Sequence, residues 1–134
     1  NVNSQSEWNS TPLHAAVANN NIGLAKLLIA EGAKIETRDR LGRTSLHWAA
    51  EKGNSAIANF LILNGAEINK SDNDGETALH EAAKWGHIKM VKLFIFHGAD
   101  INAKGSDGRG PIHIAIASGN INIMNLLKEH GASL

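Results

Sequence analysis

Apolar residues recur along the chain at spacings of three and four in four separated clusters. They are Ile22, Leu24, Leu27, Leu28 and Ile29; Ile57, Phe60, Leu61 and Ile62; Ile88, Val91, Leu93, Phe94 and Ile95; and Ile121, Ile123, Met124, Leu126 and Leu127. That spacing puts each cluster on one face of a helix. Ahead of the first three lies a shorter segment built on small residues, Ala15-Ala16, Ala49-Ala50 and Ala82-Ala83. These predict a first, short helix in each unit, whose small side chains let neighbouring units approach closely. A single pair of short helices cannot bury such a face alone, so the pattern predicts a stack in which each unit covers the next.

The units are copies of one another. Asp74-Gly75-Glu76-Thr77-Ala78-Leu79-His80-Glu81-Ala82-Ala83 lies 33 residues after Leu41-Gly42-Arg43-Thr44-Ser45-Leu46-His47-Trp48-Ala49-Ala50. A further 33 back stands Trp8-Asn9-Ser10-Thr11-Pro12-Leu13-His14, and 33 forward stands Asp107-Gly108-Arg109-Gly110-Pro111-Ile112-His113. Gly32, Gly65, Gly98 and Gly131, each followed by Ala, keep the same phase.

The first helix of each copy is expected to start at Thr11, Thr44 and Thr77, whose hydroxyls can accept from orphan backbone N–H groups. Pro12 and Pro111 suit the first helical position, where no N–H is needed. Gly110 replaces the threonine in the fourth copy, at a cost of only about a few tenths of a kcal/mol. Asn20, Gly53, Gly86 and Gly119 mark the left-handed ends of these helices. Extended segments from Ile35 to Gly42, Ile68 to Gly75 and Ile101 to Gly108 then lead to turns, two of them with the Asp-Gly hairpin signal. Leu41-Gly42 and Trp8-Asn9 replace that pair, leaving an apolar residue at the tip. In the last copy Ile116 takes the phase of Ala50 and Ala83, so packing is expected to differ there. Lys128-Glu129 makes its second helix more polar, as in a capping repeat.

A 33-residue period with a Thr-Pro-Leu-His opening and a late Gly-Ala resembles the ankyrin repeat, and the resemblance covers essentially the whole chain. It implies an all-α repeat solenoid of helix-turn-helix repeats with β-hairpin fingers. The repeats fall at about 6–38, 39–71, 72–104 and 105–134 of a single domain spanning 1–134, with residues 1–5 the tail of a preceding repeat. Val2 and Leu134 share the phase of Ile35, Ile68 and Ile101. The chain is therefore expected to be cut from a longer array or a larger protein at repeat boundaries, and to be monomeric as such a fragment.

Composition narrows the function classes. Thirteen basic residues balance thirteen acidic ones, giving a formal charge of +0 and a pI near 7.2. No global field would concentrate the chain on nucleic acid or an anionic membrane. Cysteine is absent, which excludes disulfides and thiolate metal sites. No apolar run approaches the roughly 20 residues of a membrane span, and Asn1-Val2-Asn3-Ser4 does not resemble a signal peptide. An intracellular setting is expected, cytoplasmic with nuclear as the alternative.

The histidines His14, His47, His80 and His113 invite a metal reading, but one per repeat on successive rungs cannot converge on one ion. The repeat motif implies that each instead hydrogen-bonds the neighbouring loop. His80-Glu81-Ala82-Ala83-Lys84 lacks the second histidine of a zincin helix, and Gly105-Ser106-Asp107-Gly108-Arg109-Gly110 lacks the strand and Lys-Ser/Thr of a phosphate loop. No nucleophile with a base can be assembled by spacing. The expectation is a non-enzyme with no cofactor and no metal. Asn69 and Asn102 resemble hairpin asparagines that are hydroxylated in some ankyrin proteins. Asn9-Ser10-Thr11 fits a glycosylation sequon, which an intracellular chain would leave unused.

In the ankyrin family the fingertips and the exposed face of the first helices form a concave surface that holds a protein partner. Carried over by phase, the candidate partner-binding residues are Trp8; Arg40, Leu41, Arg43, Trp48 and Glu51; Asp74, Glu76, Glu81, Lys84 and Trp85; and Arg109. All three tryptophans fall in this set, and tryptophan and arginine are enriched in binding hot spots. Trp48 and Trp85 could instead pack against the next finger, and Trp8 could cover an exposed end. Arg38, Arg40 and Arg43 make the second finger basic; Asp72, Asp74, Glu76 and Glu81 make the third acidic, an arrangement that would orient a partner of opposite polarity. The expected function is non-catalytic protein–protein interaction. The alternative from another class is a spacer, targeting or regulatory array serving a linked domain, with nucleic-acid binding third.

Overall fold

The computed structural model describes residues 1–134 as four helical pairs. They are α1 (Pro12–Ala18) with α2 (Ile22–Ala30), α3 (Ser45–Lys52) with α4 (Ser55–Leu63), α5 (Ala78–Lys84) with α6 (Ile88–Phe96), and α7 (Pro111–Ala117) with α8 (Ile121–Glu129). First helices stack on one another as one layer and second helices as another, and each pair closes between the layers.

Local chemistry sets the helix ends. Thr11, Thr44, Thr77 and Gly110 are the N-caps, all in extended backbone, and proline follows in α1 and α7. After the first helices the chain turns through left-handed residues, Asn20 at φ 54° and Gly53 at φ 74° among them. Asn21, Asn54, His87 and Asn120 then cap the second helices.

Leu13, Leu46, Leu79 and Ile112 form the buried line of the first layer, flanked by small residues. In the first repeat the buried pair is Ala16-Val17, one step beyond the Ala15-Ala16 expected from sequence; Ala15 is exposed. The second layer is buried through Ala25; Ile57, Ala58 and Leu61; Met90, Val91 and Phe94; and Ile123 and Leu127. Leu24 and Leu27, expected on the packed face of α2, are exposed. Leu24 shares its phase with Ile57, Met90 and Ile123, which are fully buried. Those three have a preceding second helix to pack against, and α2 packs on none earlier in the chain. Ile116, bulkier than the alanines of its phase, is left half-exposed.

No strand forms in the connecting segments. Each turn is closed by backbone bonds, Asp72 N–H to Glu76 O at 2.8 Å and Gly75 N–H to Asp72 O at 3.0 Å in the third repeat, with equivalents in the others. Adjacent turns are tied by one backbone bond each: Arg40 N–H to Trp8 O at 2.8 Å, Asn73 N–H to Leu41 O at 3.0 Å, and Ser106 N–H to Asp74 O at 2.8 Å. Gly42 packs against Asn73 of the next turn, at φ 77°, and a Cβ there would lie 2.8 Å from the Asn73 nitrogen. Gly42→Ala is expected to lower stability by about 2 kcal/mol, combining left-handed strain with the clash. Gly108→Ala, at φ 80° in open space, should lose only about half as much. Urea denaturation of the two variants checks the ordering.

Candidate partner-binding face

The fingers are positioned by the histidines. His14, His47 and His80 are buried at the start of α1, α3 and α5. Nδ1 of each accepts from the backbone N–H of its capping threonine, at 3.0, 3.2 and 3.0 Å. The threonine hydroxyls reach the same nitrogens at 2.9, 3.0 and 3.0 Å. Nε2 donates to the next finger, to Arg43 O at 3.1 Å, Glu76 O at 2.9 Å and Arg109 O at 3.0 Å. A backbone N–H only donates and a carbonyl only accepts, so each ring is the neutral Nε2–H tautomer. Burial holds all three below the ordinary histidine pKa, against the raising effect of the carbonyl bond. His113 keeps half of this arrangement: its Nδ1 accepts from Gly110 N–H at 3.0 Å, and Gly110 has no hydroxyl to add.

Between the first two fingers lies a cleft of about 300 Å³ that gathers Trp8, Arg40, Leu41, Arg43 and Trp48. The Arg40 guanidinium lies 5.0 Å from the Trp8 ring centroid and donates to Glu7 O at 2.9 Å. Trp8 and Leu41 are 60% and 58% exposed, so the fingertips carry open apolar surface. Trp48 forms the half-buried floor, tilted against His14 at 5.2 Å, with Nε1 donating to Asp39 Oδ2 at 2.8 Å. Asp39 Oδ1 accepts from the N–H groups of Leu41 and Arg43, both at 2.9 Å. One carboxylate therefore holds both the turn and the indole. Asp39 was not among the residues singled out from sequence; its shared phase with Asp72 at the start of a turn is the signal that could have found it.

Arg43 is not a free cation. Its side chain is 14% exposed, and Nη2 lies 3.2 Å from Glu51 and 3.7 Å from Glu81. Glu81, expected on the open surface, is buried and accepts from Trp85 Nε1 at 3.1 Å. These groups join the second and third repeats beneath the surface. Arg38 is likewise engaged, donating to Gly42 O at 2.9 Å and to Ser71 O.

The third finger exposes Asp74, while Asp72 accepts from the N–H groups of Asp74 and Glu76 at 2.9 and 3.0 Å. Glu76 is half-buried, and its carboxyl is raised above the usual range by burial first, then by Glu81 and Asp72. The three carboxylates come within 4.8 Å of one another. Two of them are already occupied, Asp72 by the turn and Glu81 by the indole. Glu76, Lys84 and Arg109 line a second cleft of about 330 Å³ with Asp107 and Ile114. Trp85 stands outside both clefts, half-exposed, with the Lys84 ammonium 5.7 Å from its ring.

Stacked helical pairs joined by a hydrogen-bonded ladder of turns define a repeat solenoid, and its clefts offer aromatic, aliphatic and guanidinium surface of the kind used for recognition. The family model described as Ankyrin repeats (3 copies) matches residues 1–72 and again 63–134. The chain belongs to the ankyrin-repeat family, whose arrays are in general protein-interaction modules and typically non-catalytic. A comparison with curated proteins finds no match. No helix is long and apolar enough to cross a membrane.

Proposed function

We propose that the array is a protein-interaction module whose partner docks across the finger-like turns and first helices. The observation that carries this is the pair of exposed apolar tips, Trp8 and Leu41, set side by side over the Trp48 floor with Arg40 stacked on Trp8. Such an aromatic and arginine cluster in a cleft has the composition of a binding hot spot. Asp74, Glu76, Lys84, Trp85 and Arg109 supply a more polar second contact region one repeat along. Arg43, Glu51 and Glu81 act from beneath by fixing repeats two and three relative to each other. In this reading the four repeats work as one domain inside the cell, and charge on the third finger orients the partner.

A Trp8→Ala, Leu41→Ala variant tests the site, since both side chains are solvent-exposed and their loss should leave circular dichroism unchanged. Proteins captured from lysate by the parent chain are identified and then titrated against both forms. Loss of about 2 kcal/mol or more of binding free energy is expected, roughly a thirtyfold weaker affinity. Equal affinity of the two forms for every captured protein would remove the cleft from the binding site.

A further inference from the structure

We infer that the outer face of the second helices, centred on Phe96, is a separate docking surface for an acidic amphipathic helix of a protein partner. Phe96 is 83% exposed, and Leu63, at the same phase on the neighbouring α4, is 70% exposed. Three residues earlier in the repeat, Leu27, Phe60, Leu93 and Leu126 share a phase of their own and form a partly exposed apolar row across α2, α4, α6 and α8. Isolated exposed apolar residues need no explanation, but an apolar row bordered by exposed Leu63 and Phe96, with a groove on each side of Phe96, does.

Between α4 and α6 lies a groove of about 480 Å³, walled by Asn59 on one helix and by Lys89, Lys92, Leu93 and Phe96 on the other. A smaller groove of about 250 Å³ lies on the far side of Phe96, toward Leu126 and His130 of the last repeat. Each flanking helix has 9 residues, a length of roughly 13 Å at the α-helical rise. That matches a ligand helix presenting apolar side chains at i, i+3 or i+4, and i+7.

Charge selects the partner. Lys89 and Lys92 are the only charged residues on α4 and α6, both are exposed, and neither has a carboxylate within 4 Å. Lys26 of α2 extends over the Phe60 ring at 5.8 Å. Glu129 is the one carboxylate on the four second helices. The first helices and fingers differ, for there the charge of Arg43 is paired with Glu51 and Glu81. An apolar row edged by unpaired lysines complements leucines edged by glutamates. An anionic bilayer fits less well: a short helix seated in the groove meets Lys89 and Lys92, whereas a flat negative surface would also meet exposed Glu67 and Asp100 in the loops that follow Leu63 and Phe96.

The test uses a labelled synthetic helix with leucines at that spacing and glutamate on both flanks, and a second helix with lysine in place of glutamate. Fluorescence anisotropy is read against the parent chain, Phe96→Ala, the Lys89→Glu, Lys92→Glu double variant, and Trp8→Ala. The glutamate helix should bind saturably and weaken by about tenfold or more with Phe96→Ala and with charge reversal, while Trp8→Ala leaves it unchanged. The reversed variant should prefer the lysine helix. Absence of saturable binding, equal binding of the two helices, or indifference to Phe96→Ala overturns the proposal. Binding to phosphatidylserine-containing vesicles without binding of the glutamate helix also overturns it and gives the face to lipid. The Trp8→Ala arm separates this outcome from any failure of the finger-side site.

Discussion

Replacing Phe94 with alanine is expected to lower the free energy of unfolding by about 3–5 kcal/mol, the range for truncating a buried phenylalanine. Its side chain is fully buried and belongs to α6, which packs against α5, α4 and α8. In a stack, most of a repeat's stability resides in its interfaces, so a cavity here weakens the third repeat against both neighbours. Domains of this size have about 5–15 kcal/mol in total, so the loss removes a large part of the margin. Phe96→Ala, on the same helix, should move stability by no more than about 0.5 kcal/mol, because that ring faces solvent. Urea unfolding followed by circular dichroism measures both. Similar midpoints for the two variants would mean that α6 presents a different face to the core.

The contrast between Phe94 and Phe96 also marks where sequence stops being informative. The 33-residue phase was legible because each copy restates the same local demands: a capping hydroxyl at Thr11, Thr44 and Thr77, a histidine three residues on, and a residue with positive φ after the first helix. Spacings of three and four announce a helical face but do not fix its rotation within a row of neighbours. Leu24 and Leu27 therefore read as packed, whereas the fully buried residue of α2 is Ala25. Fingertip exposure of Trp8 and Leu41 could be read, since both replace the Asp of an Asp-Gly turn. The burial of Arg43 and Glu81 could not. Their contact runs from the second repeat to the third, and phase places residues within a repeat without saying which charges meet across two.

Acidification is expected to destabilise the array steeply, and the histidines that hold the fingers are the reason. In the unfolded chain His14, His47 and His80 titrate near 6.5, whereas burial lowers all three in the folded protein. Well above that value both states hold neutral imidazoles, and the stabilisation is complete. As pH falls through about 6.5 the unfolded chain takes up protons that the fold refuses, so stability declines until the folded pKa values are reached. While only the unfolded state titrates, each histidine removes about 1.4 kcal/mol per pH unit, so three remove about 4. Below the folded values protonation also forfeits the Nδ1 acceptor that binds the threonine N–H and hydroxyl. Glu76 acts in the opposite direction and lower on the scale: its raised folded pKa lets the fold bind a proton before the unfolded chain does. One carboxyl cannot offset three imidazoles. Urea midpoints measured from about pH 7.5 to 5.5 should fall monotonically, and His80→Gln should shallow that fall by about a third while lowering the midpoint at neutral pH. A midpoint that stays level over this interval would show that the buried rings titrate like free histidine, and the neutral tautomer assigned from their donors and acceptors would have to be abandoned.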